Sequence, residues 1–202
     1  MTHRLYPALE HNLSTQNATR EAREVRRYAV GDPVEAGEGQ VARVIEGVLL
    51  LKVAHAGVAQ RVIGVLGPGD FLVPHPKDGA RVACSAHTDA RMELWQAVEA
   101  ASSEVFRRAM TSRLMRTDAW AATRAHRDAD YRVRSSLDLL MMQFGVVHDG
   151  GRRLGFHVPR QILADLAVTS EQTVNRVLRM MSAEGILETV GDGAQERLGF
   201  TY

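Results

Sequence analysis

The pattern of hydrophobic and polar positions changes twice along the chain, which predicts three zones. From Tyr28 to Trp95, apolar runs of strand length alternate with Gly, Pro and Asp, as in an antiparallel roll or barrel. From about Val98 to Phe144, Gly and Pro are almost absent, which favours a short helix, a long helix and a third that begins near Ala129. From Gly145 onward, helical spacing alternates with turn residues. The chain is therefore expected to be an α+β protein.

The segment Pro159–Met181 has the pattern of two short amphipathic helices joined by a tight turn. Pro159 suits the start of the first helix, which is expected to bury Leu163, Leu166 and Ala167 and to end near Ala167. Ser170 can cap the second helix. The buried face of that helix would consist of Val174, Val177, Leu178 and Met181, at the i, i+3, i+4, i+7 spacing.

The second helix also predicts a polar outer face. The outward side chains are Glu171, Gln172, Asn175, Arg176 and Arg179, all of which can hydrogen-bond to base edges or phosphates. Near the helix start, Thr169, Ser170 and Thr173 can serve phosphate oxygens. This pattern favours a helix-turn-helix whose second helix lies in a groove of double-stranded DNA. The alternative is an ordinary helical hairpin with a solvated polar face.

The charge distribution favours nucleic acid as the partner of the C-terminal half. The 202-residue chain is 45% hydrophobic and has a net charge of only +1. The range from Arg107 to Arg134 contains eight arginines and three acidic residues, and the range from Gly150 to Met180 contains five arginines and two acidic residues. Both basic runs lie in the half that would meet phosphate.

The cysteine count and the hydropathy of the chain limit the cellular compartments in which the protein is expected. The single cysteine, Cys84, excludes an intramolecular disulfide, a multi-cysteine zinc site and an all-cysteine iron–sulfur cluster, so we expect a reducing cytoplasm. No apolar run approaches the roughly 20 residues of a membrane span, and the N-terminus lacks the apolar core of a signal peptide. We expect no membrane partner, no cofactor and no bound metal.

With its zones in this order, the chain resembles the CRP/FNR family, that of the cyclic AMP receptor protein. The specific pieces are EGVLLL at Glu46–Leu51, LGPGDF at Leu66–Phe71 and TSEQTVNRVLRMM at Thr169–Met181. The resemblance implies a jelly-roll (double-stranded β-helix, cyclic-nucleotide-binding-like) domain, a long dimerisation helix and a C-terminal winged helix-turn-helix, whose wing would be a β-hairpin around Gly191–Gly193. It implies a homodimeric, sequence-specific transcription regulator. RNA polymerase would be a partner if the protein activates, but the sequence does not distinguish activator from repressor.

This resemblance also sets the expected boundaries. They are an N-terminal segment at 1–27, the roll at 28–100, the long helix at 101–128 and the DNA-binding domain at 129–202. The apolar stripe that would pair two long helices is Val105, Phe106, Ala109, Met110, Leu114, Trp120 and Ala121, although Arg113 and Arg116 interrupt a strict heptad. The alternative is a long helix packed only on its own roll.

The nucleotide pocket implied by the resemblance is incomplete. Arg81 matches the phosphate-binding arginine and Thr117 the adenine-contacting threonine. However, Leu72–His75 supply no acid for the ribose, and Val82 replaces the serine beside the phosphate. Several charge-assisted hydrogen bonds would be lost. We therefore expect control without cyclic AMP.

The recognition helix departs from the type member of the family as well. By the resemblance, Glu171 replaces its first arginine and Gln172 its glutamate, whereas Arg176 keeps its second arginine. Arg176 can still bind guanine O6 and N7, and Gln172 suits adenine, so a changed operator is expected. Val168 stands where the family has a turn glycine, so we expect a slightly different turn rather than a left-handed residue.

Three other interpretations stay open. The roll could sense a small molecule, haem or redox signal through His75, Cys84 or His87. For Cys84, however, the sequence favours a buried strand residue. A cupin-like metalloenzyme would need clustered ligands, which the spacing of His55, His75 and His87 does not provide, so we expect no enzyme. A protein-interaction module with an idle helix-turn-helix would show no salt-sensitive affinity for DNA.

Overall fold

A two-sheet roll forms the N-terminal half of the chain. The computed structural model describes residues 23–54, 60–74, 81–148, 151–191 and 196–201. The roll strands are β1 (Val25–Tyr28), β2 (Gln40–Glu46), β3 (Leu49–Ala54), β4 (Arg61–Leu66), β5 (Phe71–Leu72), β6 (Arg81–Ala86) and β7 (Ala90–Gln96). They pair antiparallel as one sheet in the order β1-β7-β2-β5 and another in the order β4-β3-β6. The expected jelly-roll is confirmed.

The interior of the roll is apolar, with Val44, Leu49, Leu66 and Met92 almost fully buried between the sheets. β1 begins at Val25, inside the segment that we expect to precede the roll. Residues 1–22 of that segment lie outside the described residues.

Three helices follow the roll, as the sequence predicts. They are α1 (Ala97–Ser102), α2 (Glu104–Ala125) and α3 (Ala129–Phe144). The third begins at the predicted residue because the Asp128 side chain accepts a hydrogen bond from the Asp130 N–H and caps the helix. Along the part of the chain that is described, no helix is both long and apolar enough to span a bilayer.

The C-terminal half is a helix-turn-helix flanked by a small sheet. Its elements are β8 (Gly145–His148), β9 (Gly151–Leu154), α4 (Arg160–Leu166), α5 (Glu171–Ala183), β10 (Leu187–Val190) and β11 (Arg197–Thr201). β10 and β11 form the predicted wing, and the sheet order is β10-β11-β9-β8. The β8–β9 hairpin was not predicted, because each strand has only four residues and the turn signals in VVHDGGRR dominate the pattern.

The two halves share a hydrophobic core. Val48, Leu50, Val62 and Val65 of the roll pack in one cluster with buried side chains of α3, α4 and α5. The Val62 N–H donates to Asp165 Oδ2 of α4 at 3.0 Å. The helix-turn-helix is therefore held against β4 by packing and by a hydrogen bond.

Candidate nucleic-acid interface

The second helix of the predicted pair, α5, is built as its sequence pattern indicates. The Ser170 side chain accepts a hydrogen bond from the Thr173 N–H at 3.2 Å, which caps the helix start. The residues of its buried face are Val174, Val177, Leu178 and Met181, as predicted. The first helix ends with Leu163, Leu166 and Ala167 buried against this face. The local pattern thus fixes which side of α5 is turned outward.

The outer face of α5 is exposed and polar. The exposed residues are Glu171, Gln172, Asn175, Arg176 and Arg179. Of the predicted phosphate contacts, Ser170 is exposed, whereas Thr169 and Thr173 are half-buried. The hydroxyls of Ser170 and Thr173 lie 3.1 Å apart, so both also take part in the cap. The eight predicted residues lie at the start of α5 and along its outer face.

The turn between α4 and α5 corrects our expectation for Val168. Its φ is 51°, so it does adopt the left-handed conformation that we did not expect of a valine, and it is the one non-glycine residue with positive φ in the described ranges. A β-branched residue is strained there. The Val168 N–H donates to Asp165 O at 3.2 Å and the Thr169 N–H to Ala164 O at 2.9 Å, which closes the turn.

Two arginines from outside the helix pair hold the turn. Arg132 of α3 donates from Nε to Ala167 O (2.8 Å) and from Nη2 to Val168 O (3.0 Å). Arg124 of α2 donates from Nε to Leu166 O (3.1 Å) and from Nη2 to Ile63 O of β4 (2.7 Å). Burial lowers the pKa of Arg124, while the two carbonyls accept hydrogen bonds from its Nε and Nη2. These bonds offset the strain and link the turn to the roll, and sequence spacing gave no signal for them.

Arg176, the expected guanine reader, has a partner that the sequence did not reveal. Its guanidinium forms a two-pronged ion pair with Asp130 in the first turn of α3, and Nη1 to Oδ2 is 2.8 Å. The hydrogen bond from Arg176 lowers the pKa of Asp130, and the same bond raises the pKa of Arg176. Arg179, in contrast, donates from Nε to Asn175 O within α5 at 3.3 Å.

The predicted dimer stripe of α2 divides into two faces. Phe106, Ala109 and Met110 pack against the roll cluster around Phe71, and Trp120 is buried in the shared core. Val105, Leu114 and Ala121 are exposed. The stripe is thus not one surface, because about half of it serves the chain's own roll.

The arginines that interrupt the heptad of α2 face the roll as well. Arg113 donates from Nη1 to Phe71 O at 2.9 Å, and Arg116 forms an ion pair with the buried Asp70. Their positions follow from the roll rather than from pairing of two long helices.

Of the residues considered for an effector, Thr117, Cys84 and His87 have side chains that the structure describes. Thr117 is exposed, and its hydroxyl donates to Arg113 O in the preceding turn at 2.9 Å. The side chain of Arg81 and the whole of His55 and His75 lie outside the described residues. Within those that are described, no group of three or more His, Cys, Asp or Glu could hold a metal ion.

The remaining sensor candidates are enclosed. Cys84 is buried in β6, and burial raises the pKa of its thiol to about 12, which disfavours the reactive thiolate. His87 contacts His157 O at 2.7 Å, and burial lowers the pKa of His87. Both side chains fit a structural role.

One cavity of about 450 Å³ lies between the roll, α2 and α3. Its polar wall contains Asp70, Arg116 and Gln143, and Gln143 donates to Asp70 Oδ2 at 3.1 Å. Its apolar wall includes Met115 and Phe144. Sequence reasoning did not identify this cavity, because its residues come from three separate segments.

The helix-turn-helix region and the overall fold both have counterparts among known proteins. Residues 136–195 match the family described as a Crp-like helix-turn-helix domain. No curated protein sequence matches the chain significantly. FixK2 from Bradyrhizobium japonicum has a similar structure, with a TM-score of 0.70, 18% identity, and coverage of 89% of this chain and 92% of FixK2.

Two further solved structures have the same fold. A CRP/FNR-family transcriptional regulator from Thermus thermophilus gives a TM-score of 0.67 at 18% identity, over 89% of this chain and 94% of the other. The c-di-GMP responsive global regulator CLP from Xanthomonas campestris gives 0.64 at 21% identity, over 96% and 97%. At these identities the likeness concerns the fold.

Proposed function

Because residues 136–195 are a Crp-like helix-turn-helix domain in a chain with the fold of the CRP/FNR transcription regulators, we propose that the protein reads a pseudo-palindromic DNA site as a homodimer without cyclic AMP. The observation that carries the proposal is the capped helix α5, which has an exposed polar face opposite a fully apolar buried face. Such a helix can enter the major groove and hydrogen-bond to base edges. Arg176, Gln172 and Asn175 would read bases.

Phosphate contacts would fix the register of the helix on DNA. Ser170, Thr169 and Thr173 lie at its start, where free N–H groups and the helix dipole also favour an anion. Glu171 and Arg179 complete the face at its two ends. These contacts would contribute affinity and salt dependence, whereas the base contacts would contribute specificity.

Dimerisation is proposed through the side of α2 that the roll leaves open. Leu114, Thr117 and Ala121 follow one another at i, i+3 and i+7, which is the spacing of a coiled-coil seam. Leu114 is 63% exposed in the single chain, and Thr117 and Ala121 are exposed too. Two such helices would set two recognition helices one turn of DNA apart, roughly 34 Å.

Independence from cyclic AMP is supported by two features of the roll. The sequence lacks the ribose acid and the phosphate serine, and Val82 stands in β6 where that serine would be. In addition, hydrogen bonds of Arg124 and Asp165 tie the helix-turn-helix to β4 through groups of the chain itself. The fold is that of transcription regulators, which supports the proposal of a cytoplasmic protein that acts without catalysis. Activation would require contact with RNA polymerase.

The test is selection of bound duplexes from a random DNA pool by nucleotide-free protein. The proposal predicts enrichment of a pseudo-palindrome whose half-sites are about one helical turn apart. Absence of any enriched motif, or enrichment only with cyclic AMP, would contradict it.

The cavity of about 450 Å³ favours one alternative, a regulator gated by an unidentified small molecule. If nucleotide-free protein binds no DNA but regains binding when a low-molecular-mass cell extract is added, that alternative replaces the proposal.

A further inference from the structure

The ion pair between Arg176 and Asp130 joins the recognition helix to the start of α3. Both terminal nitrogens of the guanidinium take part, Nη1 with Oδ2 at 2.8 Å and Nη2 with Oδ1. The second hydrogen of Nη1 points to Met180 Sδ at 3.5 Å. Asp130 therefore occupies the end of the guanidinium fork and leaves Nη1 no free donor.

The opposite edge of the same guanidinium is open. Among the described residues, no acceptor bonds the Nε–H, and Nη2 retains its second hydrogen beside it. These two parallel donors match O6 and N7 of a guanine in the major groove. Since half of the Arg176 side chain is exposed, a base can approach this edge while Asp130 stays bound.

Asp130 is itself held in place. Its side chain is only 26% exposed, and its N–H is bonded to the Asp128 cap at 2.9 Å. It lies in the first turn of α3, where the helix dipole favours a carboxylate. α3 packs directly against α5 in the shared core, so the carboxylate has a fixed position relative to the recognition helix.

We infer that Asp130 is a specificity-determining residue, which orients Arg176 so that the Nε–Nη2 edge reads a guanine. This inference rests on the proposed DNA-binding function. An unpaired arginine on an exposed helix has many rotamers and binds any nearby phosphate, whereas a paired arginine presents one edge and has less charge to offer phosphate. Asp130 thereby restricts Arg176 to reading a base rather than binding any nearby phosphate. Asp130 itself forms no hydrogen bond with DNA in this arrangement.

The test compares base preference rather than affinity. Wild-type protein first selects its duplex from a random pool, and Arg176→Ala identifies the base pair that depends on Arg176. Dissociation constants for the four bases at that pair are then measured for Asp130→Asn. The control is Glu188→Gln, which also removes one negative charge from the DNA-binding domain, at an exposed position of β10. Because each preparation is compared with itself over four duplexes, a lower folded fraction cancels.

We expect Asp130→Asn to reduce the preference for guanine at that pair by about three- to tenfold and to leave the other positions unchanged. Glu188→Gln should keep the wild-type preference. In an Arg176→Ala background, Asp130→Asn should have no further effect on preference.

Three results would overturn the inference. One is an unchanged guanine preference in Asp130→Asn, including the case in which affinity for all sequences rises equally because Asp130 merely competes with phosphate. Another is an equal loss at every position. The third is a selected site with no base pair that depends on Arg176, which leaves the proposed function intact. If the wild type selects no motif, the proposed function itself fails.

Discussion

The helices α5 and α2 differ in how well the pattern of their own residues predicts what each face of the helix contacts. α5 buries one apolar face inside its own domain, begins at a side-chain cap and exposes its polar face. α2 has no side-chain cap, contacts the roll with Phe106 and Arg113, and leaves Leu114 on an open side. A helix with a single buried face has a readable period, whereas a helix shared between a roll and a free surface does not.

The difference bears directly on function. The arginines of α2 that appear to spoil a dimer seam instead bond the roll, through Phe71 O and Asp70. Once they are removed from the pattern, the exposed residues Leu114, Thr117 and Ala121 remain for the proposed dimer seam. The structure thus separates the contacts of α2 with the roll from this exposed stripe.

The largest expected effect contrasts two methionines, one on each helix. Met181→Ala in α5 removes a buried side chain and should lower the free energy of unfolding by about 2–5 kcal/mol. Met115→Ala in α2 removes a side chain that is 69% exposed and should change it by less than about 0.5 kcal/mol. Urea unfolding of both variants measures the difference. Equal losses would show that the faces of α2 are wrongly assigned.

The next prediction concerns the open side of α2. Leu114→Asp would place two carboxylates in the seam and should raise the dimer dissociation constant by about a hundredfold, because burial of unpaired charge is costly. Ala122→Asp, at an exposed position off the seam, is the matched control. Sedimentation equilibrium of both variants gives the constants. A Leu114→Asp protein that dimerises like the wild type would rule out this seam.

A smaller effect is expected on the reading face of α5. Arg176→Ala should weaken binding to the selected site by about 1–3 kcal/mol and relax the choice at one base pair. Arg108→Ala in α2 removes the same charge from a side chain that is 79% exposed and should preserve base preference. Fluorescence anisotropy with single-base variants of the duplex measures this. An unaltered preference in Arg176→Ala would refute its role.

The smallest predicted effect tests the strained turn before α5. Val168→Gly removes the left-handed strain of a β-branched residue but adds backbone entropy to the unfolded chain, so a net gain of about 0.5–1 kcal/mol in unfolding free energy is expected. Val146→Gly, at an exposed strand position with ordinary φ, should lower it by a similar amount. Thermal unfolding of both variants shows whether the free energy of unfolding rises in one and falls in the other. Destabilisation by both would mean that Val168 is not strained.

How far the sequence predicts the site depends on the distance between interacting residues. The cap at Ser170 and the buried face that ends at Met181 depend on neighbours within one or two turns, and both were predicted. Asp130 lies 46 residues from Arg176, and Arg124 lies 61 residues from Ile63. No local period encodes such pairs, so they emerge only from the packed structure.

The errors have the same origin. The left-handed Val168 was unexpected because local propensity disfavours it, yet Arg132, 36 residues away, bonds its carbonyl. The β8–β9 hairpin was missed because β9 is stabilised by pairing with β11, and β8 by pairing with β9, rather than by their own patterns. The α+β order of roll, long helix and winged helix-turn-helix could be predicted because each zone differs in composition.

The proposed regulator binds DNA sequence-specifically through α5 without cyclic AMP. The most direct test of this proposal is the affinity of nucleotide-free protein for the selected duplex and for a scrambled duplex, at two salt concentrations, with and without cyclic AMP. We expect at least about a 10³-fold preference for the selected duplex, affinity that falls with salt, and no response to the nucleotide. Equal affinity for both duplexes, or a preference that appears only with cyclic AMP, would contradict the proposal.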